Sequence, residues 1–207
     1  MSRLIVLASR SPRRKYLLEL LNLKFSIESS SCDETYSNNE QPSDIVQNLA
    51  LHKAMDVSEG KFSSLVIGAD TLVVDNEKIL GKPNSADEAK SMLAKLSDDR
   101  HKVLTGVALV KTDSEGNILQ KETFVEETIV YFGKLTSEEI NDYVQDGSPM
   151  DKAGSYGIQD DWGAIFVKRI EGDYYNVVGL PLYALYQHLK EFAPEFLSHN
   201  SDPPKDE

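Results

Sequence analysis

The stretch LVIGADTLVV at residues 65–74 constrains the fold most. Its apolar residues do not alternate with polar ones, so both faces need cover. That is the pattern of a strand buried inside an α/β protein. Gly68 marks an expected bend, after which a second strand continues. Asp70 and Thr71 interrupt the run. A carboxylate in such a place must be paired, hydrogen-bonded or bound to metal. Asp70 either holds a turn or takes part in chemistry, and burial favours the second reading.

LIVL at residues 4–7 has the length and β-branched content of another buried strand. ASRSPRRK follows at residues 8–15. Ser11 suits a helix cap and Pro12 the first helical position. Arg13 and Arg14 then fall in the first turn, where the helix dipole disfavours cations. Free N–H groups and two guanidinium forks at one helix start form an anion site, with phosphate the best fit. The competing reading is a solvated arginine pair on a surface turn. These residues alone do not separate the two.

A helix is expected from residue 42 to about 57. Val46, Leu49, Ala50 and Val57 share one face, and Lys53 projects from the middle of that stripe. A lysine there is costly unless it is paired, reaches a polar cleft or snorkels to water. Gly81-Lys82-Pro83 reads as a tight loop carrying a mobile charge. It is not a P-loop, because the spaced upstream glycine and the following Ser/Thr are missing. SADE at residues 85–88 is a capping box for a helix through Leu96.

Strands are expected at 103–111, 122–132, 164–170 and 175–178, with helices after Thr136 and Pro181. Strands and helices alternate early, strands cluster in the middle and a helix closes. That order predicts an α/β fold: a long, mixed, twisted sheet flanked by helices, in two lobes with a cleft between them. Residues 1–192 are expected to form this one two-lobed domain. Residues 193–207 read as an acidic, disordered tail.

The formal net charge of −12 argues against non-specific binding to nucleic acid or anionic membrane. It also makes a local basic cluster more telling. One cysteine, Cys32, supplies no internal disulfide, which fits a reducing cytoplasm. It reads as a packing residue, as does Trp162. No apolar stretch is long enough to span a membrane. No zinc-ligand spacing and no GxSxG motif occur.

Arg13, Arg14, Lys53 and Lys82 are therefore cations in awkward places, with Asp70 and Glu34 as neighbouring acids. A cationic cradle with one or two carboxylates matches a nucleotide polyphosphate and a divalent metal. Hydrolysis and simple phosphate binding both remain open on spacing alone.

Six motifs in order carry a resemblance: LASRSPRR at 7–14, IGADTLV at 67–73, LGKP at 80–83, LTGVAL at 104–109, DKAGSYGIQ at 151–159 and GDYYNVVGLP at 172–181. The chain resembles the Maf family of nucleotide pyrophosphatases over nearly its whole length. The resemblance implies a fold related in shape to inosine triphosphate pyrophosphatases. It also implies a homodimer and hydrolysis of a nucleoside triphosphate to monophosphate and pyrophosphate with Mg²⁺ or Mn²⁺. It implies that Asp70 is the proton acceptor for water. Ser9, Arg13, Arg14, Lys53 and Lys82 would bind the triphosphate, and Glu34 metal or water.

Arg13, Thr71 and Gln159 resemble the branch acting on dTTP and UTP. A neutral amide at Gln159 can both donate to and accept from a pyrimidine edge. A role in cleansing nucleotide pools follows from the family, as does a link to division arrest. A nucleotide-binding regulator without turnover and an inosine-type triphosphatase are the alternatives. The family pattern continues with glycine after Gln159, but here Asp160-Asp161-Trp162 intervene.

Overall fold

The computed structural model describes residues 4–37, 40–145, 148–159 and 161–197. The chain opens with β1 (Leu4–Ala8), α1 (Pro12–Glu19), β2 (Phe25–Glu28) and α2 (Pro42–Ser58). The hairpin β3 (Ser64–Asp75) and β4 (Lys78–Leu80) follows, then α3 (Ala86–Leu96). The long strands β5 (Arg100–Thr112) and β6 (Ile118–Phe132) lead to α4 (Ser137–Gln145). Two short 3₁₀ turns, Ser148–Asp151 and Ala153–Ser155, precede α5 (Asp161–Phe166), β7 (Val167–Glu171), α6 (Tyr174–Val178) and α7 (Leu182–Phe192).

The strands form one seven-stranded mixed sheet in the order β2-β1-β3-β5-β6-β7, with β4 beside β3. β1 runs parallel to β2 and β3, and the other pairs are antiparallel. Helix α2 covers one face, packing Ala50, Ala54 and Val57 on Val6, Val66 and Ala108. The other face carries the larger core, where Leu17, Leu93, Tyr143, Leu185 and Leu189 meet Leu7, Ile67, Val107 and Leu109. The expected mixed sheet flanked by helices is therefore present.

Three local expectations are corrected. Residues 64–75 form one continuous strand with no break at Gly68. Gly68 instead makes room for α2: a Cβ there would lie 2.2 Å from the Ala50 carbonyl oxygen. Residues 164–166 end a helix, and the strand starts only at Val167. Residues 175–178 are helical, because Asp173 accepts from the Tyr175 and Asn176 N–H groups and Gly179 closes the turn at φ 126°. That cap outweighs the strand preference of the Tyr and Val residues.

Trp162 is 37% exposed and does not pack as expected. Ala193 is fully buried, and Phe196 and Leu197 pack on the core. The rest of the expected tail, 198–207, lies outside the described residues, as does Asp160.

Candidate active site

The register of β3 creates the site. β1 pairs with β3 only as far as Ala8 opposite Gly68. β4 joins the same strand from Val73 onward. Between them, residues 69–72 pair with β5 on one edge, and among the described residues the other edge has no strand. A cleft of about 360 Å³ opens at this gap, beyond the carboxyl end of a parallel strand. Ser11, Arg13 and Arg14 line it on the β1 side, and Gly81 and Lys82 on the β4 side.

Alternation along β3 turns Asp70 toward α2 and Thr71 toward the opposite face. Each meets a cation from a different helix. Lys53 of α2 lies 2.5 Å from an Asp70 carboxylate oxygen and 2.6 Å from one of Glu34. Arg14 of α1 donates from one terminal nitrogen to the Thr71 hydroxyl at 3.0 Å and from Nε to the Gly179 carbonyl at 2.8 Å. Its other terminal nitrogen reaches the Ser9 hydroxyl at 3.5 Å.

The start of α1 follows the expected logic. The Ser11 hydroxyl accepts from the Arg14 N–H, and Pro12 occupies the first turn. The Ser9 hydroxyl accepts from the Ser11 N–H at 3.2 Å, fixing the loop before the helix. A second cavity shares Arg13, Glu34, Lys53, Lys82 and Asp151 with the first and extends past Ser9 to residues 29–32. The two form one continuous trough, polar along the α1 side.

Charge is concentrated here. The hydrogen bond from Lys53 holds the Glu34 carboxyl below its ordinary value, against partial burial, and the Lys53, Lys82 and Arg14 charges act in the same direction. Burial lowers the Arg14 guanidinium, opposed by Asp70, yet an arginine so placed stays charged. All nine residues expected at the site, Ser9, Arg13, Arg14, Glu34, Lys53, Asp70, Thr71, Lys82 and Gln159, line this trough.

The sequence matches the family described as "Maf-like protein" over residues 4–192. The chain belongs to the Maf family. It is 51% identical over 188 residues to a protein of Bacillus cereus (strain G9842) named dTTP/UTP pyrophosphatase, covering 91% of this chain and 95% of the relative. It is 52% identical over 189 residues to a Geobacillus sp. (strain WCH70) protein of the same name, covering 91% and 98%. Among solved structures it is similar to the Staphylococcus aureus Ham1 protein at TM-score 0.43 and 14% identity, covering 63% of this chain and 72% of that one.

The trough of this Maf chain also holds residues that sequence reasoning did not single out. Asp151 binds Arg13 across the cleft at 3.0 Å and its chain neighbour Lys152 at 2.7 Å, so one carboxylate holds two cations. Partial burial works against its ionised form, but hydrogen bonds from Lys152 and Arg13 hold its carboxyl below the usual value. Lys152 is 8% exposed. A charged pair opening a glycine-rich stretch was the available signal. Tyr156 lines the wall and its hydroxyl lies 2.7 Å from His101 Nε2.

Burial pushes the His101 imidazole down to about 4, with Asp99 opposing. Cys32 is half-buried at the border of the trough, where its sulfur accepts from the Ser30 hydroxyl at 2.8 Å.

Proposed function

We propose that this chain hydrolyses dTTP and UTP to the nucleoside monophosphate and pyrophosphate. One observation carries the reading most: a carboxylate buried at a gap in the sheet, with Arg13, Arg14, Lys53 and Lys82 around it. The names of the relatives supply the substrates. A site that only holds a nucleotide has no use for a buried carboxylate among phosphate ligands, which favours turnover over a pure regulator.

The reaction adds water to the α-phosphorus and releases pyrophosphate. Asp70 accepts the proton of that water as its oxygen attacks. Lys53 holds Asp70 and Glu34 in place. Ser9, Arg13, Arg14 and Lys82 bind and orient the triphosphate, which places its charge among fixed donors rather than water. Thr71 and Gln159 face the pyrimidine end.

Asp70 and Glu34 fit a divalent cation. Both point a carboxylate oxygen at one cationic nitrogen, so the pair already converges on a positive charge. Mg²⁺ or Mn²⁺ takes one or two carboxylates together with phosphate oxygens. Among the described residues no cluster of three or more His, Cys, Asp or Glu offers a self-sufficient metal site. The cation would supply charge neutralisation at the phosphates.

A homodimer and a cytoplasmic place complete the proposal. The first is tested by light scattering. The second is supported by a single cysteine and by the absence of a membrane-crossing helix among the described residues. Clearing nucleotides from the pool is the proposed role.

The deciding experiment measures pyrophosphate release from a panel of pyrimidine and purine triphosphates with Mg²⁺ or Mn²⁺. Release from dTTP and UTP that Asp70→Asn abolishes is the expected result. Tight nucleotide binding without release from any substrate would instead support the regulator.

A further inference from the structure

Behind the cleft wall runs a chain of hydrogen bonds whose direction can be read atom by atom. Thr71 and Thr105 face each other across the β3–β5 ladder. Their hydroxyl oxygens are 2.9 Å apart. Thr105 is fully buried, and its hydroxyl also lies 3.0 Å from the Asn176 carbonyl oxygen. A carbonyl only accepts, and two oxygens at that distance without a hydrogen between them would repel. The single Thr105 hydrogen therefore points to Asn176. Thr71 must then donate to Thr105. Arg14, which can only donate, supplies the third link at 3.0 Å from Thr71.

The far end of the chain is fixed. The Asn176 side-chain amide donates to the Val103 carbonyl at 3.0 Å and to the Thr128 hydroxyl at 2.9 Å. Asp173 accepts the Asn176 N–H at the start of α6. That carbonyl has no freedom to turn away, so neither threonine can reverse its hydroxyl without leaving a buried group unpaired.

We infer that Thr105 is a positioning residue for specificity: it commits the only Thr71 hydrogen inward, so Thr71 offers the cleft a lone pair and selects a hydrogen-bond donor on the substrate. This rests on the pyrimidine triphosphate reading. Uracil and thymine carry one ring donor, N3–H, where cytosine has a bare N3 acceptor. The other donor a nucleotide brings is a sugar hydroxyl. The shared chemistry is an N–H or O–H aimed at the Thr71 oxygen.

The test compares the native chain with Thr105→Val, which keeps shape and loses the hydroxyl, and Thr105→Ser, which restores it. Each is assayed for kcat/KM on dTTP, dCTP, N3-methyl-dTTP and 3′-deoxy-dTTP, with thermal unfolding alongside. If the base is the donor, Thr105→Val should shrink the preference for dTTP over dCTP about tenfold, the scale of one hydrogen bond, because the freed Thr71 hydroxyl can then donate. If the sugar hydroxyl is the donor, the preference for dTTP over 3′-deoxy-dTTP should shrink instead. Thr105→Ser should keep the native ratio.

In the native chain N3-methylation should be penalised, and less so in Thr105→Val, if the base is the donor. A penalty that shrinks for 3′-deoxy-dTTP instead assigns the sugar hydroxyl and still supports the inference. Ratios to dTTP that stay unchanged for dCTP, N3-methyl-dTTP and 3′-deoxy-dTTP alike in a folded Thr105→Val overturn it. So does a Thr105→Ser variant as altered as Thr105→Val, because packing would then be the cause. If Thr105→Val does not fold, Thr105→Cys, a weak donor, takes its place and should fall between the native chain and full loss. No turnover by the native chain on any pyrimidine triphosphate defeats the functional reading itself, a result distinct from unchanged ratios.

Discussion

Replacing Gly68 with alanine should disarm the site from behind. Gly68 and Gly106 face α2, and a Cβ at either would lie 2.2–2.3 Å from helix backbone, against Ala50 and Val46 respectively. The helix lies this low on the sheet only because both positions lack a side chain. In Gly68→Ala the Ala50 carbonyl must retreat by about 1 Å to reach ordinary contact. Lys53 sits one turn further along the same helix and would retreat with it, opening its 2.5 Å contact with Asp70 to about 3.5 Å.

Overpacking of this kind costs about 1–3 kcal/mol. For a chain of this size that lowers Tm by roughly 2–12 °C. A 1 Å misplacement of a catalytic group can reduce rate by about 100-fold. The measurements are pyrophosphate release from dTTP and thermal unfolding. Gly133→Ala is the control, since its Cβ would meet only the Phe166 carbonyl, at 3.8 Å. A folded Gly68→Ala enzyme with kcat/KM within about twofold of native would refute the argument. It would mean that the height of α2 does not set the Lys53 position.

Asp70→Asn should lower kcat by about 100-fold or more while metal-dependent nucleotide binding, followed by calorimetry, persists. Asp151→Asn releases Arg13 and Lys152 from the carboxylate they share. KM for dTTP should then fall by about two- to fivefold with kcat unchanged, the scale of an exposed ion pair, and a rise in KM would show that Asp151 positions those cations for substrate. His101 has a folded-state pKa of about 4 against about 6.5 unfolded. The unfolded chain therefore takes up the extra proton between those values, so stability falls as pH drops from 6.5 to 4, by on the order of 3 kcal/mol. Denaturant midpoints at several pH values should show that slope, and His101→Phe should flatten it relative to the native chain.

The first half of the site was legible because its residues contradict their own surroundings. Asp70 stands in an apolar strand, Lys53 on an apolar helix stripe, and two arginines at a helix start. Each contradiction predicts a partner, and Lys53 and Asp70 turn out to be partners of each other. The capping residues Ser11, Ser85 and Thr136 were legible for a similar reason: their hydroxyls complete local backbone bonding that sequence spacing alone defines. Residues 175–178 misled because Tyr and Val favour strands, although Asp173 and Gly179 bracketed a helix all along.

What sequence could not show is tertiary register. Nothing local to Gly68 says that β1 stops opposite it or that β4 resumes at Val73, yet that interval is the cleft. Thr105 is in the same position. In sequence it is one hydroxyl in a strand. Only the ladder places it opposite Thr71, and only α6 brings a carbonyl over it. On the proposed function, the same interval lets one strand serve both ends of a substrate. Side chains of consecutive residues leave β3 on opposite faces, so Asp70 meets the cation of one helix and Thr71 that of another. In a fully paired sheet those two faces would never share a ligand. On the proposed function, the one edge of residues 69–72 that no strand covers among the described residues lets a single nucleotide reach across and touch both.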